Sequence, residues 1–324
     1  MRVTAEKGVP LAEAAERCRL ALRRAEEAVV GKSEVLERVL AGLLAPGHLL
    51  LEDVPGVGKT LVARTFARIL GLSFRRIQFV PDLLPADVTG GMIYDAREGR
   101  FEFRKGPIFA HLLLADEINR GTPKTQAALL EAMQEGQVSM EGTAYPLEPP
   151  FLVLATQNPL EFEGTYPLPE AQLDRFLARI RMGYPSREAE RELISEGRSE
   201  GESPLPEPLL DREGFLAIRA AVERVHVAPE LRDYIVCLVR ATREKGRVRL
   251  GASPRGTLAL FRFSRALALV RGRDFVVPED IRSGAVPVLA HRILLRPDLW
   301  GEGIDGEDVL EEILERLPVP GALS

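Results

Sequence analysis

A chain of 324 residues, 45% hydrophobic and 28% charged, has room for two domains and the composition of a folded globular protein. Its net charge of −5 argues against a general nucleic-acid footprint, and no apolar run reaches the roughly 20 residues of a membrane span. Cys18 and Cys237 stand far apart without metal-ligand spacing and no signal-peptide core is seen, so buried free thiols and a reducing cytoplasm are expected.

Apolar residues (Leu11, Ala15, Cys18, Leu20, Leu22, Ala25) predict an amphipathic helix over 11–28, ending before Val29-Val30-Gly31. A second helix is expected over 33–44, stopped by Ala45-Pro46-Gly47. Residues 48–53 read as a buried strand that breaks into a Gly-rich turn, then a helix over 59–70 closed by Gly71. Further apolar runs at 74–80, 108–115, 151–156 and 176–182 alternate with helical or turn-rich stretches. That alternation predicts an α/β parallel sheet covered on both faces, with ligands at the carboxyl ends of its strands. Two stretches depart from it. Residues 100–104 alternate like half a hairpin, and 137–145 around Glu141-Gly142 like a whole one; by pattern alone both are surface decoration. Beyond Tyr184-Pro185-Ser186 a helical pattern dominates, with a Gly/Ser/Pro-rich linker at 200–208 and helices over 211–225, 229–244, 254–270, 278–292 and 306–317. The expected organisation is an α/β core over 1–183 and an all-helical domain over 184–324.

Chemistry concentrates at the strand ends. Around Pro55-Gly56-Val57-Gly58, glycines let the backbone close on a polyphosphate, and N–H groups of a helix opening at Lys59-Thr60-Leu61 point at it. Lys59 would reach the β- and γ-phosphates and the Thr60 hydroxyl would hold Mg²⁺. Arginine supplies most of the positive charge, and a lysine placed in this turn, one of only six in the chain, is easier to credit. The full pattern G-x-x-x-x-G-K-[ST] wants glycine where Asp53 stands, although the half that carries the phosphate contacts is intact. Such a turn also simply connects strands to helices. The apolar run His111–Ala115 delivers Asp116 and Glu117, one to orient Mg²⁺ and one to polarise the attacking water; alone it reads equally as an acid-capped strand. A third apolar strand ends in Gln157-Asn158, where Asn158 either senses the γ-phosphate or forms a turn. Arg175, in Leu173-Asp174-Arg175-Phe176, either enters a neighbouring subunit's site or makes an internal ion pair. Ser253 and Pro254 open a helix in the second domain and place Arg255 in its first turn, to reach the nucleotide or merely to face solvent.

In order and spacing these five elements resemble an AAA+ ATPase. The flanking residues narrow the likeness to the MoxR family: Val30-Gly31-Lys32, the loop from Glu52 to Thr60, Asp116-Glu117-Ile118-Asn119-Arg120, Ala155-Thr156-Gln157-Asn158-Pro159, Pro169 to Phe176, and Gly251 to Arg255. The resemblance spans nearly the whole chain, and members of the family are similar to it at Asp53. It implies an AAA+ P-loop NTPase core with a smaller helical lid, assembled as a homo-hexamer with ATP and Mg²⁺ between subunits. By motif match Pro55, Gly56, Val57, Gly58, Lys59, Thr60 and Leu61 bind phosphate, and Val30 and Gly31 border the adenine. Thr60 and Asp116 serve the metal, Glu117 is the catalytic carboxylate of the Walker B pair, Asn158 resembles sensor 1, Arg175 the arginine finger and Arg255 sensor 2. The two hairpins now resemble the helix-2 and pre-sensor insertions, whose loops approach the ring's central opening.

The function this implies is ATP-driven remodelling of client proteins, metal or cofactor insertion being typical, with a partner that carries a von Willebrand factor A (VWA) domain. A nucleic-acid motor is the alternative. Arg100, Arg104 and Lys105 would touch phosphates, while a second cluster (Arg240, Arg243, Lys245, Arg247, Arg249) is interrupted by Glu244 and reads rather as a solvated face; acidic charge and few aromatics weigh against the motor. A nucleotide-dependent scaffold without hydrolysis is disfavoured by the intact Asp116-Glu117 pair.

Overall fold

The apolar runs of the first half of the chain assemble into one parallel sheet. The computed structural model describes residues 8–52, 58–158, 164–184, 186–188, 190–191, 205–244, 246–299 and 303–321. The sheet comprises β1 (Leu49–Glu52), β2 (Phe74–Gln78), β5 (Leu112–Asp116), β8 (Leu152–Gln157) and β9 (Ala178–Arg181), in the order β2-β5-β8-β1-β9. Period-two alternation divides its side chains. Leu49, Leu51, Leu112, Leu114, Leu152 and Leu154 face one apolar cluster, while Leu50, Leu113, Ala115, Val153 and Ala155 face a second. The first is covered by α1 (Leu11–Ala28), α2 (Ser33–Leu44) and α3 (Lys59–Ile69), the second by α5 (Pro123–Glu135). Both faces are therefore buried, as the near-continuous apolar strands require.

Residues 100–104 do find a hairpin partner. β3 (Gly90–Asp95), which follows the short helix α4 (Pro85–Thr89), pairs antiparallel with β4 (Arg100–Lys105). β6 (Gln137–Met140) and β7 (Thr143–Pro146) form the second hairpin, turning through Glu141 and Gly142 with φ of 48° and 79°. The two hairpins meet: the Phe103 and Tyr145 rings stack with centroids 4.0 Å apart. Further out along β3 and β4, Tyr94 and Phe101 pair at 5.3 Å and remain exposed.

The short helix α6 (Glu170–Leu173) leads into β9. After it come α7 (Arg212–Val222), α8 (Pro229–Ala241), α9 (Pro254–Val270), α10 (Pro278–Leu289) and α11 (Gly306–Arg316). This half is helical but not wholly so. β10 (Val248–Leu250) and β11 (Leu294–Leu295) pair antiparallel, and runs this short leave no alternation to read in the sequence. The linker at 200–208 falls partly outside the described residues, which resume at 205. α9 packs on α2 and α1, so the first apolar cluster runs without a break from the sheet into the helical half. Cys18 lies in that cluster, where burial pushes its thiol up to about 12. Cys237 corrects the expectation of two buried thiols: it is exposed, because it sits on the outward face of α8 between the buried Tyr234-Ile235 and Leu238-Val239 pairs. Among the described residues no helix is long and apolar enough to cross a membrane.

Candidate active site

β5 and β8 lie side by side, and their carboxyl ends bring the acid pair against Thr156. The buried Thr156 hydroxyl donates to Asp116 Oδ1 at 2.6 Å and accepts the backbone N–H of Glu117 at 2.9 Å. Glu117 itself is left-handed, with φ 54° and ψ 51°, an unusual state for a residue with a side chain. That backbone turns its carboxylate out of the strand, where Oε2 accepts from Gln78 Nε2 at 2.7 Å and Arg120 Nη1 at 3.0 Å. From β2, Arg76 holds Asp116 Oδ2 through Nε at 3.0 Å and Nη2 at 2.6 Å, and also donates to Gln78 Oε1 at 2.8 Å. Arg76, Gln78 and Thr156 were not singled out from the sequence. The available signal was polar residues two apart at the end of a strand, which only the neighbouring strand makes meaningful.

Two strands from the acids, β1 runs toward the phosphate turn. Pro55, Gly56 and Val57, with Asp53 and Val54, lie outside the described residues. Gly58 has φ 88° and, among the described residues, nothing within 4 Å of where a Cβ would stand, so on that side the approach to α3 is open as well as left-handed. Lys59, Thr60 and Leu61 form the half-buried first turn of α3, which has no side-chain cap and no acidic residue. An uncapped, acid-free helix start beside an open glycine suits a polyphosphate. Among the described residues no group of three or more His, Cys, Asp or Glu is placed to hold a metal. A divalent cation on the oxygens of Thr60 and Asp116 would complete its shell with phosphate and water, as Mg²⁺ does.

At the end of β1 the buried Glu52 accepts from Gln157 Nε2 at 2.5 Å and pairs with Arg179 at 3.3 Å. Arg179 and Arg181 continue to Glu307, at 3.3 and 2.9 Å, on the first turn of α11. Val30 and Gly31 are held near the exit of β9, because the buried Lys32 donates to the Met182 carbonyl at 3.0 Å and to that of Gly183. Asn158 is buried one residue past β8, and its carbonyl accepts from Asn119 Nδ2 at 3.3 Å.

Arg175 stands in the turn between α6 and β9, half-buried, and its side chain makes no hydrogen bond or ion pair with any described residue. Its neighbour Asp174 is heavily engaged, by Arg292 at 2.7 Å and by Arg255 at 3.6 Å. The structure thus brings Arg255 to the Arg175 turn, while Asp116, Glu117 and Asn158 gather at the ends of β5 and β8. Beside Arg292 the buried His291 is held neutral, its pKa well below the ordinary range through burial and then the Arg292 and Arg179 charges.

A five-stranded parallel sheet, a helical lid and an acid pair at the end of β5 define an AAA ATPase. Residues 48–178 match the family described as ATPase family associated with various cellular activities (AAA), and residues 240–313 match the AAA lid domain. The uncharacterised protein YeaC of Bacillus subtilis is 49% identical, over 93% of this chain and 94% of its own length. Chaperone MoxR1 of Mycobacterium tuberculosis is 48% identical, over 90% of this chain and 79% of its own. A solved structure of a candidate ATPase from Cytophaga hutchinsonii superposes with a TM-score of 0.88 at 42% identity, covering 95% of this chain and 96% of that one. The chain belongs to the MoxR family of AAA+ ATPases and is an ATP hydrolase.

Proposed function

We propose that this ATPase works at a seam between two copies of the chain in a homo-hexamer and uses the hydrolytic cycle to remodel client proteins. The observation that carries the reading is Arg175. A half-buried guanidinium with no partner among the described residues, beside an Asp174 carboxylate already engaged by Arg292, is suited to a charge supplied from outside. Arg255, drawn to the same turn by Asp174, would be offered alongside it.

Within one copy, Val30 and Gly31 would border the adenine, while the turn from Pro55 to Leu61 and the Lys59 ammonium would bind the phosphates. Glu117 would take the proton side of the attacking water, and Asn158 would orient that water or the γ-phosphate. Thr60 and Asp116 are the residues to hold Mg²⁺, which when bound neutralises charge developing on the phosphate oxygens. Glu117 suits its part because its backbone N–H is fixed on the Thr156 hydroxyl while Gln78 and Arg120 both donate to carboxylate Oε2, which leaves Oε1 for water. The core over 1–183 and the lid over 184–324 are the units proposed to shift during the cycle.

Remodelling is supported by the relative named as a chaperone and by Tyr94 and Phe101, exposed on a hairpin where they can meet an unfolded segment. A VWA-domain partner and a cytoplasmic setting rest on the family resemblance. The nucleic-acid alternative loses ground at its own residues. Arg100 is paired with Glu102 at 2.7 Å, Lys105 lies over the Phe109 ring, and Arg247 is paired with Glu312 at 2.6 Å. Arg175→Ala is expected to keep nucleotide affinity and lose most turnover, by about 10³-fold or more, and dilution of the wild type to monomers should mimic it. Equal turnover per chain in monomer and ring would refute the seam. Affinity capture with Glu117→Gln in ATP identifies the client; specific recovery of DNA or RNA instead of protein would transfer the reading to the motor.

A further inference from the structure

The Arg292 side chain is almost wholly buried, and its donors converge on the turn that carries Arg175. Nε donates to Asp174 Oδ1 at 2.7 Å. Nη2 donates to the carbonyls of Asp174 at 3.3 Å and Phe176 at 2.6 Å, and Nη1 to that of Leu177 at 3.3 Å. Nη1 also meets the Val288 carbonyl and His291 Nε2, which ties the guanidinium back to α10. Four acceptors on residues 174, 176 and 177 are thus held by one group from the helical half, and Arg175 between them is left untouched. Burial works against the charge on Arg292, and Asp174 is the carboxylate that sustains it. Only a planar fork can span these acceptors; an ammonium is a single point of charge.

We propose that Arg292 is a positioning residue for Arg175, so that the lid of one copy sets the aim of the arginine that copy presents to its neighbour. The proposal rests on Arg175 acting in trans. Its consequence is directional: a disturbance of the Arg292 contacts in one subunit is felt at the next subunit's nucleotide.

The test uses Arg292→Gln, with Asp174→Asn as a second variant that keeps the shape of the turn should the first fail to fold. For each, thermal unfolding, nucleotide affinity and kcat are measured alone and after co-assembly with excess Lys59→Ala. The latter chain is dead in its own phosphate turn but carries Arg175 and Arg292 intact. In a folded variant, kcat should fall ten- to a hundredfold with nucleotide affinity within twofold of wild type, and Arg292→Lys should not restore it. Added Lys59→Ala should return turnover per variant chain toward the wild-type value, because each variant site then receives a correctly aimed arginine from its neighbour. A folded variant with kcat within twofold of wild type overturns the proposal, as does a loss that Lys59→Ala does not relieve while it does relieve Arg175→Ala. If Arg175→Ala itself is not relieved, the trans reading fails and the positioning role with it.

Discussion

Replacing Thr156 with valine keeps the volume and the β-branch and removes only the hydroxyl that joins Asp116 to Glu117. Two bonds go with it, the 2.6 Å donation to Asp116 and the 2.9 Å acceptance from the Glu117 N–H. A hydrogen bond to a charged group contributes about 1.5–3 kcal/mol, and a buried donor left unmade costs about 1–3 kcal/mol. Thr156 is fully buried, so solvent does not readily replace the hydroxyl. Glu117 adds a further term, since the left-handed backbone costs a non-glycine residue about 1–2 kcal/mol and one of the bonds securing it is lost. Its relaxation recovers part of that cost but swings the carboxylate away from the place proposed for the attacking water. Thr156→Val should therefore lower unfolding stability by about 3 kcal/mol in urea titrations. It should also lower kcat ten- to a hundredfold, the usual scale for partners of metal-site ligands, if Asp116 holds Mg²⁺ as proposed. Thr156→Ser keeps the hydroxyl and should retain most of both. Valine with wild-type kcat, or serine as impaired as valine, would refute the bridging argument.

Lys59→Ala should abolish nucleotide binding or turnover, and a fluorescent ATP analogue that still binds and is still hydrolysed would remove the lysine from the phosphate turn. Arg76→Met releases Asp116 Oδ2 and removes the donor to Gln78 Oε1, so Mn²⁺ affinity read by EPR with a non-hydrolysable ATP should fall about tenfold; unchanged affinity would make the pair incidental. His48 lies buried with Nε2 3.0 Å from the Met133 carbonyl and Nδ1 accepting the Val153 N–H at 3.1 Å, and burial lowers its pKa from 6.5 to about 4. Because the folded pKa lies below the unfolded one, its stabilising share is complete above pH 6.5 and drains away as pH falls toward 4. At 1.36 kcal/mol per unit that amounts to about 3 kcal/mol, with His291 acting in the same direction. Urea midpoints should fall steadily below pH 6.5 in the wild type and less steeply in His48→Leu; equal slopes would refute the assignment.

Much of the α/β core was legible because its strands are buried on both faces and read as apolar runs ending in polar residues. Leu112–Asp116 and Leu152–Gln157 are such runs, and Asp116, Glu117 and Asn158 stand at or just beyond their ends. α9 matches its predicted bounds because Ser253 and Pro254 mark its start in sequence, and the Ser253 side chain accepts the Arg255 N–H. β3 was missed because Gly90 and Gly91 and the turn beyond Asp95 mask a strand whose partner is supplied only by β4. Cys237 was misjudged because cysteine is commonly buried, whereas its place on the outward face of α8 follows from helical phase and packing.

The linear order of residues by itself determined the sheet-forming runs and the acid pair, and it proposed the phosphate turn and the candidate arginines, since each is a local pattern of apolar period and chemical type. Tertiary structure alone decided which distant side chains complete them. Thr156 bridges the two acids, Arg76 and Gln78 reach them from β2, and Arg292 closes on the Arg175 turn from more than a hundred residues away. Those partners lie on other strands or another helix, and spacing along a chain records only neighbours within a turn or two, so contact between elements appears only when packing brings them together.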